Sequence, residues 1–464
     1  MPSMEAQTQK YRHWKRLTAD NQYRKKEADY TEAVDAALPA ALQLAQKGNV
    51  QQAVESLLPL EKQSRTAADQ ASNTRLLTGI VGICADASQW KMLSDNLVLL
   101  NKKHGFLKHA VQKMVQQAMT YIDGLKGTKE QLDLIDTIRT ITEGKIFLEV
   151  ERARVTRILS QLKESQGENI QACDILQELQ VETFGSMEKR EKTDFILEQM
   201  RLTLLKMDYT RVLLLSKKVH AKFWKDPENQ DLKLRFCKLM IEYSLHEDDF
   251  LAIAKFYWQI YETPAVKEDV SQWKPVLENI VLFTTLAPFD NEQSDMINRL
   301  FVDTNLLQIP LYKDFCKCFI TEELMRWPKI NELYSTTFRA NEAFSSSNEG
   351  GVARWGALHK RTIEHNIRVI SRYYTQITMT RLTQLLDLAP AETESFLSDL
   401  VSKGTIFAKI DRPSGRISFK PATETVEEVL NVWSAQCKSV LDLIGKTGHL
   451  ISKEEMVARI QKTL

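Results

Sequence analysis

The residues of this chain that could do chemistry are six cysteines, two histidines six positions apart, two adjacent aspartates and a basic cluster towards the C-terminal end. Cys316 and Cys318 form a C-x-C, half of a zinc site, but a tetrahedral centre needs two more thiolates or imidazoles. Neither a second pair nor a nearby histidine supplies them. Cys84, Cys173, Cys237 and Cys437 are scattered without framework spacing, so all six read as reduced thiols. His359 and His365 fall on different faces of a helix and read as surface residues. Asp248-Asp249 sits in a turn, where aspartate bonds its own backbone. No glycine-rich phosphate loop follows a strand, and no H-E-x-x-H or G-x-S-x-G occurs. The expectation is a non-enzyme with no catalytic residue, cofactor or metal.

The basic cluster has to be judged on the elements that carry it. Between Tyr373 and Phe419 the sequence reads as helix, turn, helix and hairpin. Thr378 can cap a short helix bearing Leu382, Leu385 and Leu386. Pro390, Glu392 and Glu394 open a second, which puts Phe396, Leu397, Leu400 and Val401 on one side and ends at Gly404. Ile406, Ala408 and Ile410 alternate with polar residues, Arg412-Pro413-Ser414-Gly415 turns, and Ile417 and Phe419 alternate on the return. This is a winged-helix pattern. Its second helix would read DNA; here it carries Glu392, Glu394 and Asp399 against Lys403. The wing has Lys409, Arg412, Arg416 and Lys420 against Asp411, a small set for releasing phosphate counterions. The acidic face argues against nucleic acid and for a protein-docking module. An edge strand through Arg416, Ile417 and Phe419 is expected to offer backbone groups to a partner.

The whole chain agrees with that direction. Its 464 residues exceed one core, and 62 basic residues against 61 acidic create no field for nucleic acid or an anionic membrane. No apolar run reaches membrane length. No proline occurs between Pro59 and Pro227, which marks a helical chain. Residues 1–29 mix basic and acidic side chains without apolar periodicity and read as a mobile tail, with no secretory or transit signal. A cytoplasmic and nuclear location is expected.

From Tyr30, polar turns recur about every 40 residues, beginning at Lys47, Ala87, Lys126, Gln166, Lys206 and His246. Each is followed by a helix-opening residue and, three positions on, an apolar or small one: Val50 with Ala53, Trp90 with Leu93, Lys129 with Leu132, Ile170 with Cys173, Tyr209 with Val212, Phe250 with Ile253. The Lys129 pair matches least well. Amphipathic helix pairs too small to bury their own stripes must stack. The fold class is therefore all-α: a right-handed α-solenoid of TPR-like pairs over residues 30–344, continuing less regularly past breaks at Pro275, Pro288, Pro310 and Pro328. Ser345 to Gly351 reads as a looser linker. A winged-helix module with its leading helix and small β-hairpin follows over 352–420, with Ile363, Ile367, Ile370 and Tyr374 on the inner face of that helix.

Residues 421–464 carry the other informative pattern. Val426, Leu430, Trp433, Cys437, Val440 and Ile444 step by four and three, the heptad seam of a helix that bundles with other helices. Thr425 with Glu428 offers a capping box. Gly445 to Gly448 is expected to end the helix, and Ser452 with Glu455 to cap a short last one.

A paired-helix solenoid ending in a non-basic winged helix and a bundle helix resembles the PCI-domain family. The stretches EGKIFLEVERARVTRIL from Glu143, LQELQVETFGSMEKREKTDFILEQMRL from Leu176, LAPFDNEQSD from Leu286 and HNIRVISRYYTQITMTRLTQLLDL from His365 are similar to its proteasome-lid branch. The likeness runs from about Tyr30 to Met456. It implies a non-catalytic scaffold of the lid, supporting ATP-dependent degradation of ubiquitinated proteins. The implied partners are other PCI and MPN subunits, the ATPase ring and the core particle. Winged helices would pack in an arc through Ile377 to Phe419, and C-terminal helices would bundle through Val426 to Ile444. The alternatives are a PCI subunit of the signalosome or of an initiation-factor complex, and a nucleic-acid adaptor.

Overall fold

A computed structural model describes residues 28–122, 124–125, 127–346, 349–419 and 426–462. Almost all of the expected tail, Lys126, Ser347, Asn348, Lys420 and the Thr425 side of the capping box lie outside the described residues, as does the Glu428 side chain.

Helices α1 (Thr31–Gln46), α2 (Val50–Thr66), α3 (Gln70–Asp86) and α4 (Trp90–Lys102) are joined by turns of one kind. Gly48, Ala68 and Ser88 take positive φ there, and the next amide bonds five residues back: Asn49 to Leu44, Asp69 to Ser64, Gln89 to Cys84, at 3.0–3.2 Å. The same closure recurs at Gly167 and Met207. It satisfies the last carbonyls of one helix while reversing the chain for the next. Four further helices are α5 (Lys108–Thr120), α6 (Thr128–Thr142), α7 (Glu149–Ser165) and α8 (Asn169–Gln177). They are followed by α9 (Lys189–Leu205), α10 (Tyr209–Ser216), α11 (Gln230–His246), α12 (Phe250–Tyr261) and the single turn α13 (Pro264–Lys267). Helix starts thus fall at or within one residue of the expected positions. Ala53, Leu93, Cys173, Val212 and Ile253 are all buried. Leu132 of the irregular pair is only half-buried, and Gln131 instead caps the preceding segment by donating to the carbonyls of Ile122 and Leu125.

The repeat has a polar signature. Arg75 pairs with Asp35 at 2.6 Å, Lys103 with Glu61 at 2.8 Å, Gln112 with Glu151 at 2.9 Å, Arg201 with Glu164 at 2.6 Å and Arg235 with Asp194 at 2.9 Å. The partners are 40, 42, 39, 37 and 41 residues apart. An offset of 37–42 residues, about one repeat, means that successive repeats stack on one another, which buries stripes no single pair could cover.

The chain divides into two compact units: residues up to Asp248 with Gln259–Asp269, and Asp249–Trp258 with Val270–Leu464. The division falls well before the expected boundary near residue 344. In the second unit α14 (Val270–Leu286), α15 (Asn291–Val302), α16 (Pro310–Ile320) and α17 (Trp327–Ala340) belong with the long helix α18 (Glu349–Tyr373). Arg361 of α18 donates to the Leu286 carbonyl at 2.8 Å, and the Asn366 amide grips both backbone groups of Met325 at 2.7 and 2.8 Å.

Several expectations are corrected here. Pro275 lies inside α14, while Pro310 and Pro328 open their helices. Gly350 and Gly351 belong to the first turn of α18 and not to a loose linker; Gly351 is buried so tightly on the Ser345 backbone that a Cβ would overlap its oxygen. His365 is not a surface residue: it is 5% exposed and meets the edge of Phe319, while His359 is half-buried and stacks on Trp327 with ring centres 4.4 Å apart. Tyr374 lies just beyond α18 and is exposed, unlike Ile363, Ile367 and Ile370.

After α18 come β1 (Gln376–Thr378), α19 (Met379–Leu386), α20 (Pro390–Ser402), β2 (Lys409–Asp411) and β3 (Arg416–Ser418). Thr378 caps α19 through the Arg381 amide, Asp387 ends it at φ 54°, and Gly404 at φ 70° turns the chain out of α20. Leu382, Leu386, Leu397, Leu400, Ile406, Ile417 and Phe419 form one core with Ile363, Ile367 and Ile370. Last is α21 (Val426–Lys462).

Candidate interaction surfaces

The second helix of the winged module, α20, uses its acids internally. Glu394 accepts from Arg412 of the wing at 2.6 and 2.9 Å, Asp399 lies 3.9 Å from Lys360, and Lys403 lies 4.0 Å from Glu364. One of the four wing cations is thus neutralised by the helix that would have to enter a DNA groove. The other wing cations among the described residues are Lys409 and Arg416, fewer than the several that a phosphate backbone rewards.

The sheet order is β1-β3-β2, with Ile377 and Ile410 both opposite Ile417. This overturns the expected edge at Arg416, Ile417 and Phe419. The strand through Arg416 and Ile417 is the middle one, hydrogen-bonded on both sides; Ile417 is fully buried, and the Phe419 amide is taken by the Thr375 carbonyl at 3.0 Å. A proline at Ile417 would therefore break the module itself. The strands paired on one side only, among the described residues, are β1 and β2. Sequence reading missed β1 because three residues ending in a helix cap carry too little alternation to register as a strand; the one sign was Ile377 between polar neighbours.

A long exposed apolar surface lies on α21. It is one continuous helix of 37 residues, about 55 Å long at 1.5 Å per residue. Gly445 and Gly448 do not end it, because a glycine in a helix interior costs only about 1 kcal/mol. Every described side chain from Val426 to Arg459 is exposed. Val426 is 76%, Leu430 53%, Trp433 63%, Val440 54% and Ile444 61% exposed, and Cys437 is exposed with them. The seam continues one heptad further to Ile451, and a second row, Val429, Val432, Leu443, Leu450 and Val457, flanks it. At about 100° per residue the two rows cover roughly half of the helix circumference, more than a two-stranded coiled coil buries. Soluble chains rarely leave such a surface uncovered.

Among the described residues no group of three or more His, Cys, Asp or Glu side chains could hold a metal, and no helix is long and apolar enough to cross a membrane.

Three family models match successive parts of the chain: PSMD12/CSN4, N-terminal, over residues 52–269; the PCI domain over 312–421; and the 26S proteasome regulatory subunit RPN5 C-terminal domain over 427–459. The last falls on α21. The chain is 44% identical over 440 residues to the 26S proteasome regulatory subunit rpn501 of Schizosaccharomyces pombe, covering 95% of this chain and 99% of the relative. It is 42% identical over 440 residues to the 26S proteasome regulatory subunit RPN5 of Saccharomyces cerevisiae, covering 94% and 98%. A more distant relative, COP9 signalosome complex subunit 4 of Drosophila melanogaster, is 24% identical over 187 residues, covering 40% of this chain and 43% of the relative.

Proposed function

The chain belongs to the family of the 26S proteasome regulatory subunit RPN5, and from that premise we propose that it is a non-catalytic scaffold of the proteasome lid. It supports degradation of ubiquitinated proteins by holding other subunits in place. The observation that carries this reading is a coincidence: the RPN5-specific C-terminal match falls on the helix that, among the described residues, has every described side chain from Val426 to Arg459 exposed. Residues 421–464 enter a bundle with helices of other lid subunits through Val426, Leu430, Trp433, Cys437, Val440 and Ile444. Residues 352–420 pack beside neighbouring winged helices, with β1 and β2 as the available strand edges. Residues 30–344 reach towards the ATPase ring and core particle. The complex is a hetero-oligomer of the cytoplasm and nucleus, without nucleic acid, membrane or cofactor.

Affinity capture of the tagged full chain followed by mass spectrometry tests this. Lid subunits and core particle should be recovered in stoichiometric amounts. Recovery of a deneddylase complex in their place would assign the chain to the signalosome, a reading that the short match to its fourth subunit favours much less. A salt-sensitive shift of a random duplex would favour the nucleic-acid reading, against which the Glu394–Arg412 pairing counts.

A further inference from the structure

A pocket of about 270 Å³ opens in the second unit where α15, the end of α16, the C-terminal half of α18 and the turn after α20 converge. Its walls include Phe289, Ile297, Phe319 and Ile406. Polar residues share the lining, among them Gln293, Asn298 and Thr405, and two of the polar groups are buried. His365 is 5% exposed, and its Nε2 is buried with no hydrogen-bond partner, while the ring bonds the backbone of Thr321 and Glu323. Arg368, three residues on and so on the same helix face, lies with its guanidinium carbon 3.6 Å from the centre of the Phe289 ring. Its Nε is also buried without a partner.

Glu364 pairs with Arg361 at 2.6 Å through one oxygen and acts on Arg368 only through space, and Glu322 at the pocket rim pairs with Arg372. Arg368 makes no ion pair among the described residues, and its Nε has no hydrogen-bond partner. A buried polar group without a partner is costly, a buried charge more so. Burial, then the charge of Arg368, pushes the His365 ring down to about 4, and burial pushes Arg368 down to about 10.

We propose that this pocket binds a single carboxylate carried on an apolar stem, with the Arg368 guanidinium as its charge partner. One uncompensated cation matches a monoanion better than a phosphate dianion, and the planar fork of arginine matches the two oxygens of a carboxylate. The apolar walls then cover the stem. The carboxylate can come from the C terminus of a polypeptide or from a free small acid, a role beyond the scaffold reading above.

The test uses the purified full chain and ligand-observed NMR with 3-phenylpropionate, 3-phenylpropionamide and inorganic phosphate. The acid should bind at least tenfold more tightly than the amide, and phosphate should not displace it. R368M keeps the stem over Phe289 but removes the charge, and should lose that tenfold preference; R368K, which keeps charge without the fork, should retain part of it. An acetylated tripeptide ending in leucine, as acid and as amide, separates the sources: binding of the peptide acid at least as tight as the small acid assigns a chain terminus, and binding of the small acid alone assigns a free ligand. Equal binding of acid and amide, displacement by phosphate, or an unchanged preference in R368M would overturn the proposal. The acid-against-amide comparison needs no variant, so a misfolded mutant would not leave the question open.

Discussion

Replacing Leu430 and Trp433 together with aspartate puts two charges on the exposed seam of α21. Trp433 is 63% exposed, which for a side chain of about 250 Å² leaves roughly 160 Å² to be covered by a partner, or about 4 kcal/mol at 25 cal/mol per Å². Leu430, 53% exposed, adds about 1 kcal/mol, half of the roughly 1.5–3 kcal/mol that full burial of a leucine side chain is worth. Association should therefore weaken by roughly 5 kcal/mol, more than a thousandfold, before any cost of burying the carboxylates is counted. In the chain alone these side chains are mostly exposed, so unfolding should shift by no more than about 0.5 kcal/mol. Co-expression with the other lid subunits and a native gel measure incorporation; circular dichroism with urea measures stability. Aspartates at Asn431 and Lys438, on the opposite face, are the control and should assemble normally. The reasoning fails if the Leu430/Trp433 variant assembles like wild type, or if the isolated chain loses more than about 1 kcal/mol, since the helix would then belong to this chain's own core.

Acid should destabilise the second unit through His365, whose folded pKa of about 4 lies below its ordinary 6.5, so its stabilisation is complete above about pH 6.5 and fades towards pH 4. Between about pH 7.5 and 5 the loss is about 2 kcal/mol, and urea unfolding of a His365→Leu variant should lack that part of the slope. Gly351→Val should cost about 1–3 kcal/mol because the Ser345 backbone cannot yield, whereas Gly350→Ala, which meets only the flexible end of Arg354, should stay within about 0.5 kcal/mol by thermal melting. Glu198 is 7% exposed between Arg201 and Arg235, so Glu198→Ala should cost about 1–3 kcal/mol, while Arg75→Ala in the exposed pair with Asp35 should cost under about 1 kcal/mol in the same assay.

Much of this protein is decided locally and can be read from the chain. Turns that close through bonds reaching five residues back need only a permissive residue and a following cap, so the helix starts at Val50, Trp90 and Tyr209 were legible, as were the caps at Thr378, Pro390 and Gly404. Repeat stacking was legible because its period of about 40 residues is written into the turns, and the cross-repeat ion pairs keep the same offset. What the sequence left open depends on partners far apart along the chain. Strand order is one such case: β3 sits in the middle because residues 376–378 return to it from forty positions away, and no local pattern at Ile417 distinguishes a middle strand from an edge. The burial of His365 is another, since it follows from Phe319 and the loop after α16 closing over a helix face that looks polar in sequence. The run of α21 through two glycines was settled by the sum over 37 residues and not by the local cost at Gly445 and Gly448. The pocket around Arg368 has no sequence signature at all, because its lining comes from four segments between Phe289 and Ile406 that only tertiary packing brings together.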